Sequence, residues 1–151
     1  MRLTRFDLLL ALTLLGVGIA AYLTFVGWST EVEPYCSGLG DCSAVQSSEF
    51  GDIAGIPIAT FGLAMYLGLL VLLLAHRAGP LAGRPLLLVW YFAVALSGVL
   101  YSAYLTYLEL WVIEAICVWC VASAVVVTVI LVVAWPAFGA ARRALAGAAE
   151  G

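Results

Sequence analysis

The sequence predicts an all-α integral membrane protein built as a four-transmembrane-helix bundle. Three observations carry this. The chain is 66% hydrophobic and 10% charged, with a mean hydropathy of +1.16, whereas a soluble domain of this length carries far more charge. Four stretches without Asp, Glu, Lys or Arg run from about 8–28, 53–75, 86–108 and 115–135, each long enough as a helix to cross a hydrocarbon core. The charges between them sort by loop, with basic residues in alternate connections.

The first stretch, Leu8 to Trp28, is about 21 residues, or roughly 31 Å as a helix. Arg2 and Arg5 give it a basic start. It is too long for the apolar region of a cleavable signal, and no small-x-small site follows, so it is expected to stay as an anchor. Gly16, Gly18, Ala20 and Ala21 are expected to let neighbouring backbones approach closely.

The second stretch has Pro57 near its start, expected in the first helical turn, where a missing N–H costs nothing. The third follows Pro85. The fourth carries Pro136, expected to mark the helix end or a kink. The absence of Asp, Glu, Lys and Arg inside the four argues against an ion channel or proton pump built on buried carboxylates.

All six basic residues are arginines: Arg2, Arg5, Arg77, Arg84, Arg142 and Arg143. Four spans put them all on one side, which the positive-inside rule makes cytoplasmic. Glu31, Glu33, Asp41, Glu49, Asp52, Glu109 and Glu114 fall in the two opposite loops. Both termini are therefore expected in the cytoplasm of a prokaryotic inner membrane. The cysteines, Cys36, Cys42, Cys117 and Cys120, are expected at the outer face, where an oxidising compartment lets disulfides persist.

Cys36 and Cys42 lie in the long outer loop, about 29–52. The loop opens with a turn-rich run from Pro34 to Gly40. Asp41 is placed to cap a short helix starting at Cys42. A bridge between these two cysteines would close only a short loop and gain modest entropy, so a static staple and a labile exchange disulfide are both open. Ser48 and Glu49 are placed to hydrogen-bond a ligand near the interface, or simply to meet solvent. Cys117 and Cys120, three residues apart, share one helical face at the start of the fourth span. There the helix dipole favours a thiolate and burial opposes it. Tyr101, Tyr104 and Tyr107 form an interfacial aromatic belt or line a site for a flat ring near Cys120. His76, beside Arg77, is read as an interfacial residue.

Two cysteine pairs at one membrane face form an electron relay if they meet, since a thiolate attacks a disulfide sulfur and electrons pass through mixed disulfides. A quinone suits the inner pair: it dissolves in the bilayer and takes two electrons and two protons.

Cys36-x5-Cys42, Ser48 six residues on, Gly55-Ile56-Pro57, Phe61-Gly62 and Cys117-x-x-Cys120, in this order on four spans, resemble the prokaryotic vitamin K epoxide reductase (VKOR) family. The resemblance covers roughly Leu8 to Trp135. The DsbB type of thiol oxidase has the reverse arrangement, with its CxxC in the first outer loop. The resemblance implies one VKOR-like membrane domain over 1–151, with the helices around a quinone (menaquinone or ubiquinone) and the loop capping the active site. It assigns Cys36 to exchange with a partner thiol, Cys42 to pass electrons to Cys117, and Cys120 to face the quinone. Ser48 matches the family's loop serine near the catalytic centre.

Many prokaryotic relatives carry a fused thioredoxin-like domain after a fifth span. This sequence ends at Gly151 without one, so the expected electron donor is a separate DsbA-like or other thioredoxin-fold protein. The asparagine and tyrosine that animal enzymes place near the quinone correspond to Ile58 and Ala124, which argues for a different grip on the quinone and leaves epoxide reduction in doubt. Two other readings of the cysteines stand beside the oxidoreductase. Four thiolates suffice to hold zinc, and disulfides could merely staple the outer loop.

Overall fold

The computed structural model describes residues 4–29, 32, 34–36, 38, 40–78 and 80–149. Arg2, Glu31 and Glu33, used above to orient the chain, lie outside the described residues, as do Ser37, Leu39 and Gly79.

Four helices are long and apolar enough to cross a membrane: α1 (Arg5–Trp28), α3 (Ile58–Arg77), α4 (Pro85–Trp111) and α5 (Val118–Ala149). Between α1 and α3 the outer connection forms a short helix, α2 (Cys42–Gln46), and a two-stranded hairpin, β1 (Asp52–Ile53) and β2 (Ile56–Pro57). The chain is thus an all-α four-helix membrane bundle. Helix α1 packs on α3 and α5, and α4 packs on α3 and α5, so the spans close a ring in the order α1, α3, α4, α5.

Thr4 and Asp7 cap the start of α1 reciprocally, Asp7 N–H donating to Thr4 Oγ1 at 3.3 Å and Thr4 N–H to Asp7 Oδ2 at 3.0 Å. At the same end of the bundle the Arg77 guanidinium lies 4.9 Å from the centre of the Phe6 ring. Leu69, Leu73, Ala95, Val127 and Ile130 are almost fully buried along the bundle axis. Gly16 lets the Tyr66 ring lie against the α1 backbone, where a Cβ would overlap it. Gly18, by contrast, faces open space. Buried hydroxyls are paired, as an apolar setting demands. Thr13 Oγ1 donates to the Leu9 carbonyl at 2.7 Å and lies 3.1 Å from Tyr91 Oη. Tyr66 Oη donates to the Ser123 carbonyl at 2.9 Å, tying α3 to α5.

Several boundaries differ from the sequence expectation, three of them as follows. The second span starts at Ile58, not near residue 53, because Ala54 and Gly55, at φ 54° and 80°, turn the chain between Asp52 and Pro57. Asp52 Oδ2 accepts from Gly55 N–H at 2.9 Å and holds that turn. Positive φ at both central residues suits a two-residue hairpin. Pro57 is consequently the N-cap and not a first-turn residue. The third span runs on to Trp111 and includes Glu109, which is only 3% exposed. The expectation that the spans hold no Asp, Glu, Lys or Arg therefore fails at this position. The fourth continues through Pro136 to Ala149, as membrane helices tolerate proline where neighbouring groups satisfy the freed carbonyl.

Candidate functional site

Cys36 and Cys42 form a disulfide, with Cα atoms 6.2 Å apart. Asp41 caps α2: its Oδ1 accepts from Ala44 N–H at 2.9 Å and from Ser43 Oγ at 2.7 Å. The Ala44 bond first, and then the Ser43 bond, hold this exposed carboxyl below its ordinary range. Cys42 is 1% exposed, whereas Cys36 is half-buried.

Two contacts fasten this loop to the start of α5. Asp41 N–H donates to the Ile116 carbonyl at 3.1 Å, one residue from Cys42 on one side and one from Cys117 on the other. Gly40, at φ 99°, permits the approach, since a Cβ there would collide with the Ile116 oxygen. The second contact comes from within the Cys117-x-x-Cys120 motif. Trp119 Nε1 donates to the Tyr35 carbonyl at 2.8 Å, and the Tyr35 N–H donates to Tyr22 Oη at 3.0 Å. The Tyr22 and Trp119 rings pack with centroids 5.1 Å apart. Each cysteine of the loop pair thus neighbours a residue bonded to the C-terminal motif or its flank.

Cys117 and Cys120 are free thiols. Cys117, fully buried, stands immediately before α5 rather than inside its first turn. Its sulfur takes the place of a capping side chain, accepting from Cys120 N–H at 3.4 Å. The Cys120 thiol hydrogen bond is the largest cause holding Cys117 below the usual thiol range; burial and the nearby Glu109 oppose it. Glu109 reaches across from α4, its Oε2 accepting from the Cys117 N–H at 3.0 Å. Its own carbonyl accepts from Ala115 N–H at 3.1 Å. The turn between α4 and α5 is thereby folded back on the last turn of α4.

Below the loop lies a cavity of about 890 Å³, bounded by the spans and the hairpin. Cys120, Ser123, Tyr66, Glu109, Tyr101 and Phe61 are among its lining residues; Cys117 is not. Its size suits a drug-sized or cofactor-sized molecule. Ile58 also lines it, while Ala124 does not. Of the three tyrosines expected to form a belt or meet a flat ring beside Cys120, Tyr101 is among the lining residues; Tyr104 and Tyr107 are half exposed and stand outside the lining. Ser48 does not line it either: its hydroxyl donates to the Val45 carbonyl at 2.7 Å and closes the end of α2. His76 lies at the opposite end of α3.

Glu109 is the residue that sequence reasoning missed. Hydropathy places it in the outer turn with Glu114, as one acid among many. The available signal is its position directly after an apolar helix and eight residues before Cys117, within reach if the helix runs on. The Cys36–Cys42 bridge also commits two of the four thiolates that zinc would need.

Residues 8–135 match the Vitamin K epoxide reductase family. The match spans all four cysteines, the loop and the cavity-lining segments, and ends one residue before Pro136.

Proposed function

The chain belongs to the vitamin K epoxide reductase family and is a membrane thiol-disulfide oxidoreductase; we propose that it oxidises a separate thioredoxin-fold dithiol protein, of the DsbA-like class, and reduces a membrane quinone. The single observation that carries this reading is the division of labour among the thiols. Cys120 opens onto an apolar cavity, while the Cys36–Cys42 disulfide sits in a loop bonded beside Cys117.

In this reading a thiolate of the partner attacks Cys36 and displaces Cys42. The partner's second thiolate attacks the mixed disulfide, so that the partner leaves oxidised and Cys36 is freed. Cys42 attacks Cys117 of an oxidised Cys117–Cys120 pair and displaces Cys120; Cys36 then attacks Cys42, closing Cys36–Cys42 and releasing Cys117, so that the second pair is left reduced. The reduced pair gives two electrons and, with water, two protons to a quinone lodged against Cys120. The net result is one disulfide made in the partner and one quinol made in the membrane. The cysteines face the periplasm of a prokaryotic inner membrane and both termini face the cytoplasm. The support for this orientation is the clustering of arginines at the end of the bundle opposite the loop. Menaquinone and ubiquinone both meet the chemical requirement. Tyr101 and Ser123 are the polar groups proposed to orient the ring; Ser48 is proposed to act through the α2 end it closes.

Trapping tests the order. With Cys42→Ala, a mixed disulfide between Cys36 and the partner should accumulate. Partner adducts found only at Cys117 or Cys120 would reject the relay as written.

A further inference from the structure

We propose that Glu109 is the proton acceptor and donor for Cys120, sharing one proton with its thiol and passing it into the cavity when the pair is oxidised. The inference rests on the quinone-reducing function proposed above but stands on separate geometry.

Glu109 is 3% exposed. A buried carboxylate is expensive unless hydrogen-bonded. Its one backbone donor, Cys117 N–H at 3.0 Å, satisfies Oε2. Cys120 lines the same cavity as Glu109, and its N–H donates to the Cys117 sulfur at 3.4 Å, so both residues are hydrogen-bonded to Cys117. Among the described residues, no arginine or histidine pairs with it. The titratable groups facing it from α5 and the turn before it are Cys117 and Cys120. Tyr66 of α3, Tyr101 of α4 and Asp52 of β1 line the same cavity. A purely structural tether to Cys117 N–H needs only a neutral acceptor such as an amide. An acid in this position brings a proton that can move.

The balance is simple. Before oxidation the pair holds a Cys117 thiolate, a Cys120 thiol and a Glu109 carboxylate. The Cys120 S–H bond breaks and its proton moves to Glu109. The S–S bond forms between Cys120 and Cys117, and two electrons pass to the quinone. Glu109 delivers its proton to one quinone oxygen and water supplies the second. Glu109 ends as it began, a carboxylate.

The test is the pH dependence of Cys120 alkylation by a membrane-permeant maleimide. It uses the full chain carrying Cys117→Ala, which keeps the backbone N–H to Glu109 and leaves Cys120 as the free thiol beside an intact Cys36–Cys42 bridge. A shared proton makes the reactive pair, thiolate with carboxylic acid, equal in proton count to the resting pair, thiol with carboxylate. The rate is then flat over at least two pH units near neutrality. Adding Glu109→Gln should turn it into a tenfold rise per pH unit, because the thiol must then lose its proton to water. A tenfold rise per unit already present before Glu109 is changed overturns the proposal, however well the Gln variant folds. Quinone turnover is read separately in the wild type. Absent turnover with a flat profile rejects the proposed acceptor and leaves Glu109 as the proton partner. Turnover with a steep profile does the reverse.

Discussion

The backbone N–H of Asp41 donates to the carbonyl of Ile116 at 3.1 Å. This one bond ties the residue before Cys42 to the residue before Cys117, and both of those cysteines are buried. It joins the flanks of the two cysteine pairs directly, and it depends on a glycine.

Replacing that glycine should uncouple the pairs. Gly40→Ala forces a side chain into left-handed backbone and against the Ile116 oxygen. Strain of this kind costs about 1–3 kcal/mol, enough to slow electron transfer from Cys36–Cys42 to Cys117–Cys120 about fivefold to a hundredfold. Gly38→Ala is the control, because Gly38 has a similar φ of 72° but open space around it. Single-turnover oxidation of the reduced partner, followed by counting thiols in each pair, reads the result. Equal effects of the two changes would show that backbone strain alone matters and docking does not.

The α2 cap should be pH-dependent in a defined direction. Hydrogen bonds to its ionised form lower the Asp41 value in the folded protein. The stabilisation is therefore complete above the ordinary carboxylate range and drains away as pH falls through the lowered value. The protection factor of the Ala44 amide against hydrogen exchange should hold at neutral pH and fall only below the ordinary carboxylate range. Asp41→Asn keeps a capping oxygen without the titration and should flatten the dependence. A collapse at the same pH in the Asn variant would assign it to another group.

The bundle's tolerance for a methyl group should differ sharply within one turn of α1. Gly16→Ala drives a Cβ into the Tyr66 ring, which is fully buried and anchored to Ser123 through its hydroxyl. Overpacking of this kind costs about 1–3 kcal/mol. Gly18→Ala meets open space and should be neutral or gain up to about 1 kcal/mol from helix propensity. Thermal unfolding in detergent measures both. Equal loss at the two positions would contradict the packing described.

The spans are legible in the sequence because lipid exposure demands long uncharged helices, and the two cysteine pairs because cysteine is scarce and its spacing carries meaning. What is not legible lies at the membrane boundary, where hydropathy stops and geometry takes over. Residues 53–57 are apolar enough to pass for helix, yet Ala54 and Gly55 turn them into a hairpin that helps wall the cavity. Glu109 reads as a loop acid because charge normally ends a span. It is retained inside α4 because the Cys117 N–H, eight residues later, folds back to meet it. Pro136 reads as a helix end or a kink, and the helix does not end there. Tyr101 and Tyr104 share a sequence pattern and both rings are exposed, and only their rotation about α4 decides that Tyr101 lines the cavity and Tyr104 does not.

The central claim is that electrons from a dithiol protein reach a quinone through Cys36–Cys42 and then Cys117–Cys120. The most direct measurement is anaerobic quinone reduction by the purified protein, with a reduced thioredoxin-fold dithiol as donor, beside Cys36→Ala and Cys120→Ala. The account predicts quinol formation by the wild type and none by either variant, with donor-to-enzyme thiol exchange surviving in Cys120→Ala. A folded wild type that reduces no quinone across menaquinone and ubiquinone analogues and several donors, or a Cys120→Ala variant that still makes quinol, would contradict it.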